Sequence, residues 1–332
     1  MQVSIIGYGY WGPNIVRNVI NNLNFSLKFV CDKNISKLDI LKSQYSNIKI
    51  SSDVDKVISD EQTDCIIIAT NPGNHFELGM KALQNNKHVL MEKPLAINYD
   101  QAKLLKQTAE DKGLVLMTDL TFLYNGAVQK IKEIIDKEEL GKILYIDSTR
   151  INLGIFQNDI NVLTDLATHD LSIINYLIKE RPIAVSATGK CHYKSGIENI
   201  SYLNLFYDSE LISHIHCSWS SPVKIRQMLI GGDKKMLIYN DIEPSEKIKL
   251  YDSGYNFTEE QKGSVLIDYR IGDVFVPKYD TREALSYMIE DFYNAVKNKT
   301  KPLANADFSI EIIKILDSAQ KSMCQNGKTI EL

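Results

Sequence analysis

Three groups of residues have types and spacing that could do chemistry. The first is Met91-Glu92-Lys93-Pro94, where an apolar run ends in a lysine followed by proline. Pro94 biases Lys93 toward an extended backbone. A strand-end lysine, partly desolvated and near a positive charge, would have a lowered pKa suited to proton transfer. A lysine in a solvated turn would not. The second group is Asp165-Leu166-Ala167-Thr168-His169-Asp170. On a helix, Asp165 and His169 share one face, and a carboxylate there can orient an imidazole and stabilise its charged form. Asp170 points elsewhere on such a helix. A helix-start carboxylate beside an incidental histidine is the plainer alternative. The third group is His214 and His216, which share a strand face but have no evident third ligand, so no metal site is expected. His88 opens a strand and reads as structural. There is no G-x-S-x-G of a serine hydrolase and no G-K-[ST] of a phosphate loop.

What could position these groups begins at the other end of the chain. Residues 3–6 read as a buried strand, and Gly7-Tyr8-Gly9-Tyr10-Trp11-Gly12 follows at once, with Pro13 opening a helical stretch. This is G-x-G-x-x-G between strand and helix, the context a dinucleotide site requires. Gly7 suits the sharp turn, Gly9 a pyrophosphate approaching the backbone, and Gly12 close packing of helix on strand. Free N–H groups and the positive end of the helix dipole would hold the phosphates. Residues 27–31 form a second strand ending in Asp32, 25 residues beyond Gly7. A carboxylate there binds ribose hydroxyls and repels a 2′-phosphate, which favours NAD over NADP. The adjacent Lys33 weakens that preference.

The 332 residues suit two domains rather than one core. A hydrophobic content of 44%, a charged content of 24% and a net charge of −4 predict a globular protein without nucleic-acid or membrane partners. Cys31, Cys65, Cys191, Cys217 and Cys324 show no C-x-x-C spacing, and Cys31 and Cys65 lie in apolar runs. Together with a chain that opens directly on a strand, this predicts a reducing, cytoplasmic setting without a signal peptide. The longest apolar runs are too short to span a bilayer.

Up to about residue 118, strands at 3–6, 27–31, 65–69, 88–91 and 114–117 alternate with helical patterns, among them 53–58, 76–84 and 99–111. This predicts an α/β fold with a doubly wound parallel sheet. A helix at 127–136, a strand at 142–152 and the helix at 165–178 follow. Strands at 183–192, 200–206, 211–219, 224–230, 236–239 and 248–251 predict an antiparallel sheet. Helices at 282–297 and 307–325 close the chain. The expected division is 1–120 for dinucleotide binding and 121–332 for substrate binding and oligomerisation.

Taken together, Gly7–Gly12, Glu92-Lys93-Pro94 and Asp165…His169 resemble the Gfo/Idh/MocA oxidoreductase family over essentially the whole chain. The resemblance implies an N-terminal Rossmann domain, a C-terminal α/β domain with a large open, mostly antiparallel sheet, and hydride transfer at a sugar or cyclitol carbon. It matches Lys93 to the family's catalytic lysine, His169 to its histidine and Asp165 to the carboxylate of D-x-x-x-H. Gly7–Asn14, Thr121–Tyr124 and residues 165–174 are similar to a nucleotide-sugar branch, the 3-dehydrogenases of UDP-N-acetylhexosamines and their uronic acids, which serve surface-polysaccharide synthesis. Leu120, Thr164 and Thr168 depart from that branch, where histidine, tryptophan and proline are common, and put substrate specificity in doubt more than chemistry.

The resulting expectation places Gly7, Gly9 and Gly12, with the backbone of Tyr10 and Trp11, on the pyrophosphate of NAD, and Asp32 on the ribose. Asn71, Pro72 and His75 flank the cofactor, and Glu92 and Lys93 lie near the nicotinamide. Residue reasoning does not decide whether Lys93 or His169 takes the proton. The favoured assignment gives it to His169, with Lys93 polarising the oxygen and Asp165 orienting the site. Tyr124, Arg150 and Asn152 join them as substrate contacts, while Arg226 suits either a diphosphate or a solvated sheet face. A homodimer or homotetramer is expected. A free sugar or inositol as substrate, and a non-catalytic NAD-binding sensor, remain as alternatives.

Overall fold

The structure, a computed structural model, describes residues 1–154, 156–193, 196–259 and 265–332. It forms two compact units, Met1–Tyr124 with Arg282–Asp317, and Asn125–Thr281 with Ser318–Leu332. Among the described residues, no helix is long and apolar enough to cross a membrane.

The first unit runs β1 (Gln2–Ile6), α1 (Gly12–Asn21), β2 (Ser26–Cys31), α2 (Ile35–Gln44), β3 (Lys49–Ser51), α3 (Val54–Ile58), β4 (Cys65–Ile68), α4 (His75–Gln84), β5 (His88–Glu92), α5 (Tyr99–Asp111) and β6 (Leu116–Asp119). The strands pair in the order β3-β2-β1-β4-β5-β6, all parallel. This is the doubly wound dinucleotide-binding order. β4 is buried at every residue, as a strand covered on both faces must be. α1 buries Ile15, Val16 and Val19 along one stripe. Asn98 caps α5 by accepting from the Gln101 amide at 2.9 Å.

β6 lies two residues later than its apolar run suggests. The ladder carries it through Thr118 and Asp119, opposite Met91 and Glu92 of β5. Backbone pairing therefore continues past the hydrophobic residues and sets two carboxyl side chains on neighbouring strand ends.

The second unit holds α6 (Gly126–Asp136), β7 (Ile143–Leu153), a π-helical turn (Leu163–Ala167), α7 (Thr168–Leu177), β8 (Ala184–Lys190), β9 (Ile200–Phe206), β10 (Ile212–Ser218), β11 (Ser220–Gly232), β12 (Met236–Asn240), β13 (Ile248–Glu259) and β14 (Val265–Phe275). The chain then supplies the first unit with α8 (Ala284–Asn298) and the start of α9 (Ala306–Cys324), and ends in β15 (Ile330–Glu331). The nine-stranded sheet is ordered β14-β13-β12-β11-β7-β10-β9-β8-β15. Among the described residues, only the β7–β10 pair of this sheet is parallel. β14 is a strand the alternation does not reveal, and β13 outruns its expected end at 251.

Candidate active site

The glycine turn is built as its residue types require. Gly7 sits at φ +102°, and a Cβ there would come within 2.3 Å of the Ala69 carbonyl oxygen. A Cβ on Gly12 would meet the Gly7 oxygen at 2.8 Å. At Gly9 an added Cβ would meet nothing within 4 Å, so this backbone faces open space that a ligand can approach. α1 has no side-chain cap at its N-terminus, which leaves its first N–H groups for an anion. Asp32 is half-buried at the tip of β2, its oxygens accepting the Tyr8 and Asn34 amides at 2.7 and 2.8 Å. An open glycine backbone, an uncapped helix and a strand-tip carboxylate fit a dinucleotide.

Tyr10 is 90% exposed. Trp11 turns inward and donates its indole N–H to Asp119 at 2.8 Å. Asn71 is exposed, and with Pro72 it begins a short 3₁₀ turn beyond β4. His75 differs from expectation in being wholly buried, its ring nitrogens 2.8 and 3.0 Å from the carbonyl oxygens of Pro94 and Thr70. It braces the ends of β4 and β5 against each other, and its ring atoms are committed to that task.

β5 delivers Glu92 and Lys93, both half-buried, before a cis Lys93–Pro94 peptide. Burial and then the neighbouring Asp119 push the Glu92 carboxyl well above the usual carboxylate range, with Lys93 opposing. Asp119 was not anticipated. It accepts from Trp11 on one oxygen and from the Thr121 hydroxyl on the other, which joins the glycine turn, the Lys93 strand end and the β6 tip. A carboxylate two residues past an apolar run was the available signal, and it reads equally well as a surface boundary.

In the second unit, Asp165 lies on the π-helical turn rather than on a regular α-helix, and His169 follows in α7. Such turns are frequent at functional sites because they re-aim the residues they carry. The Trp219 indole N–H donates to Asp165 at 3.1 Å, a contact no local pattern could show. The Trp219 carbonyl also accepts from the Gly154 amide at 2.9 Å, close to the half-buried Asn152.

Asp170, beside the histidine, points into the core. It accepts from Ser148 at 3.0 Å and from Arg150 at 2.7 and 3.0 Å. Arg150 is 3% exposed. Burial disfavours its charge, and Asp170 more than offsets this. The expectation of Arg150 as a substrate contact is therefore corrected, because its guanidinium serves to fasten α7 to β7. Tyr124 is corrected likewise. Its buried hydroxyl donates to Asp291 at 2.6 Å and accepts from the Ala304 amide, both within the first unit.

Arg226 pairs with Asp241 at 3.4 Å. His214 is bound to Asp147 at 2.9 Å, and Tyr202 stacks on His216 at 4.6 Å between ring centres. Burial raises the Cys31 thiol to about 11 and pushes Cys65 higher still, so neither is a poised nucleophile.

A family model described as an oxidoreductase family with an NAD-binding Rossmann fold matches residues 1–120. That of the GFO/IDH/MocA C-terminal domain matches residues 128–238. The scyllo-inositol 2-dehydrogenase (NAD(+)) of Bacillus subtilis is 22% identical, over 100% of this chain and 96% of the relative. The solved UDP-N-acetylglucosamine 3-dehydrogenase of Acidithiobacillus ferrooxidans is 20% identical with a TM-score of 0.79, covering 97% of this chain and 98% of its own. GenD2 of gentamicin A biosynthesis, solved with NAD, is 17% identical with a TM-score of 0.84, covering 100% and 96%. These two structural likenesses speak to fold. With two matched regions spanning more than two thirds of its length and a turn built for a dinucleotide, the chain belongs to the Gfo/Idh/MocA family of NAD-dependent oxidoreductases.

Proposed function

We propose that this oxidoreductase moves hydride between NAD and one secondary hydroxyl or ketone of a nucleotide-linked sugar, a UDP-linked amino sugar or uronate reacting at C3. Residues 1–120 supply the cofactor site, and 121–332 the substrate and subunit contacts. NAD, when bound, supplies the hydride acceptor. His169 removes the hydroxyl proton in the oxidising direction, Lys93 donates a hydrogen bond to the reacting oxygen, and Asp165 orients the site. The observation that carries this assignment is Asp165, held by Trp219 at 3.1 Å on the turn that leads into His169. The protein would work in the cytoplasm, in surface-polysaccharide synthesis, as a dimer or tetramer.

The substrate class rests on the similarity of Gly7–Asn14, Thr121–Tyr124 and residues 165–174 to the nucleotide-sugar branch. A UDP-sugar dehydrogenase among the structural relatives supports it. A free inositol or sugar is the second reading, favoured by the full-length similarity to an inositol dehydrogenase.

The test begins by denaturing freshly purified protein and identifying any released nucleotide. NAD and NADP are then titrated with a panel of UDP-sugars, dTDP-sugars, scyllo-inositol and myo-inositol, following the absorbance of reduced nicotinamide. Turnover confined to the inositols would replace the nucleotide-sugar reading. Lys93→Ala and His169→Ala should each lower turnover by roughly 10²–10⁴-fold with NAD affinity nearly intact. Near-normal turnover in both removes the assignment.

A further inference from the structure

The geometry points to Asp119 as a positioning residue of the cofactor site: it shares one proton with Glu92 while gripping the indole of Trp11, and so ties the phosphate-binding turn to the strand end that presents Lys93. The inference rests on the first unit's binding of NAD and on no particular sugar.

The placement comes from strand register, since Glu92 and Asp119 are direct partners on the parallel strands β5 and β6. Two carboxyl groups on adjacent strand ends cannot both ionise cheaply once buried. The surrounding donors decide which keeps the proton. Asp119 is 3% exposed, and each of its oxygens already receives a hydrogen bond, Oδ2 from Trp11 and Oδ1 from Thr121. That environment suits the charged form. Glu92 has the Lys93 amide as a donor, whereas its Oε2 is buried and meets no donor among the described residues. An ionised oxygen buried in that way is costly, and a protonated one is not. Glu92 is therefore the acid that donates, and Asp119 the carboxylate that accepts.

The charged and titratable groups facing the pair are Lys93 on the same strand as Glu92, and the Tyr124 hydroxyl, which faces Asp119 from the turn after β6 and is itself bound to Asp291 of α8. Lys93 draws the Glu92 proton away, while burial and Asp119 hold it. Glu92 stays neutral above the ordinary carboxylate range, and it loses its proton only as the pH rises beyond that range. Until that proton is lost, the strand end carries one negative charge rather than two.

Infrared spectroscopy of the purified protein across pH tests this, using near-isosteric variants. The wild-type protein should show a neutral carboxylic-acid band at neutral pH that is missing from Glu92→Gln. In Asp119→Asn the same band should titrate away at lower pH, because the like charge is gone and burial alone remains. A band that survives in Glu92→Gln overturns the assignment of the proton to Glu92. A titration unmoved by Asp119→Asn overturns the pairing.

NADH fluorescence titrations supply a second readout. Asp119→Ala, which removes the acceptor for Trp11, should weaken binding about tenfold or more, the loss expected for a charge-assisted hydrogen bond. Asp119→Asn keeps an oxygen for Trp11 and should recover most of that affinity. Equal affinity in Asp119→Ala and wild type removes the link to the phosphate turn. Every readout is independent of sugar turnover, so the result stands apart from the identity of the substrate.

Discussion

Gly7 and Gly9 lie two residues apart and are glycines for opposite reasons. At Gly7 the protein leaves no room and demands a left-handed backbone, whereas at Gly9 it leaves nothing but room. Gly7→Ala should therefore cost about 1–3 kcal/mol in strain alone, and more from the clash with Ala69. Gly9→Ala should stay within about 0.5 kcal/mol of wild type in unfolding and yet bind NADH more weakly. Thermal unfolding and NADH titration separate the two effects. A Gly9→Ala protein with wild-type NADH affinity would place the pyrophosphate elsewhere. These two roles were legible in the sequence because a turn motif is local. Asp119 and Trp219 were not, because each acts on a residue about 108 or 54 positions away, a distance that no spacing rule spans. Tyr124 and Arg150 misled for a related reason. A polar side chain past a domain boundary reads as substrate-facing until its buried acceptor, Asp291 or Asp170, is known.

Among the elements, α7 and β7 depend on each other through the Asp170 carboxylate. Ser148 and Arg150 occupy the inner face of β7, where apolar residues would be expected, and both donate to Asp170. Removing one member of a buried ion pair leaves the other uncompensated. Arg150→Met should accordingly destabilise the fold by about 3–5 kcal/mol and reduce turnover by loosening the helix that carries His169. Arg150→Met with Asp170→Leu should regain part of that loss. Denaturant unfolding of the single and double variants checks this, and strictly additive losses would contradict the pairing. The parallel strands were legible because continuous apolar runs such as β4 have one plausible burial. The π-helical turn was not, since i, i+4 spacing at Asp165 and His169 is what a regular helix would also show. β14 escaped because Ile271, Val274 and Phe275 follow no period-2 alternation and lie at the surface: they are 89%, 52% and 62% exposed.

At the scale of the molecule, that exposure bears on assembly. β14 is the edge of the nine-stranded sheet, and Tyr269, 71% exposed, adds an aromatic ring to its apolar side chains. An apolar edge strand invites pairing with another chain. The proposed dimer or tetramer would cover it, so Ile271→Lys should shift the light-scattering mass toward a smaller species, and a wild-type monomer at micromolar concentration would rule the assembly out. The first unit is completed by a distant part of the chain, Arg282–Asp317. Its hydrophobic cluster joins Ile66, Ile68, Met91 and Leu105 to Ile310 and Ile313, and Phe25 stacks on Phe292. On the ribosome, the parallel strands emerge first, but the helices that cover them follow only after residues 125–281 have been made. The nascent sheet must wait with an apolar face uncovered, which makes it a client for chaperones and a point of aggregation. Substitutions at Ile310 or Ile313 are thus set to show themselves in the yield of folded protein, while the rate per folded molecule stays unchanged.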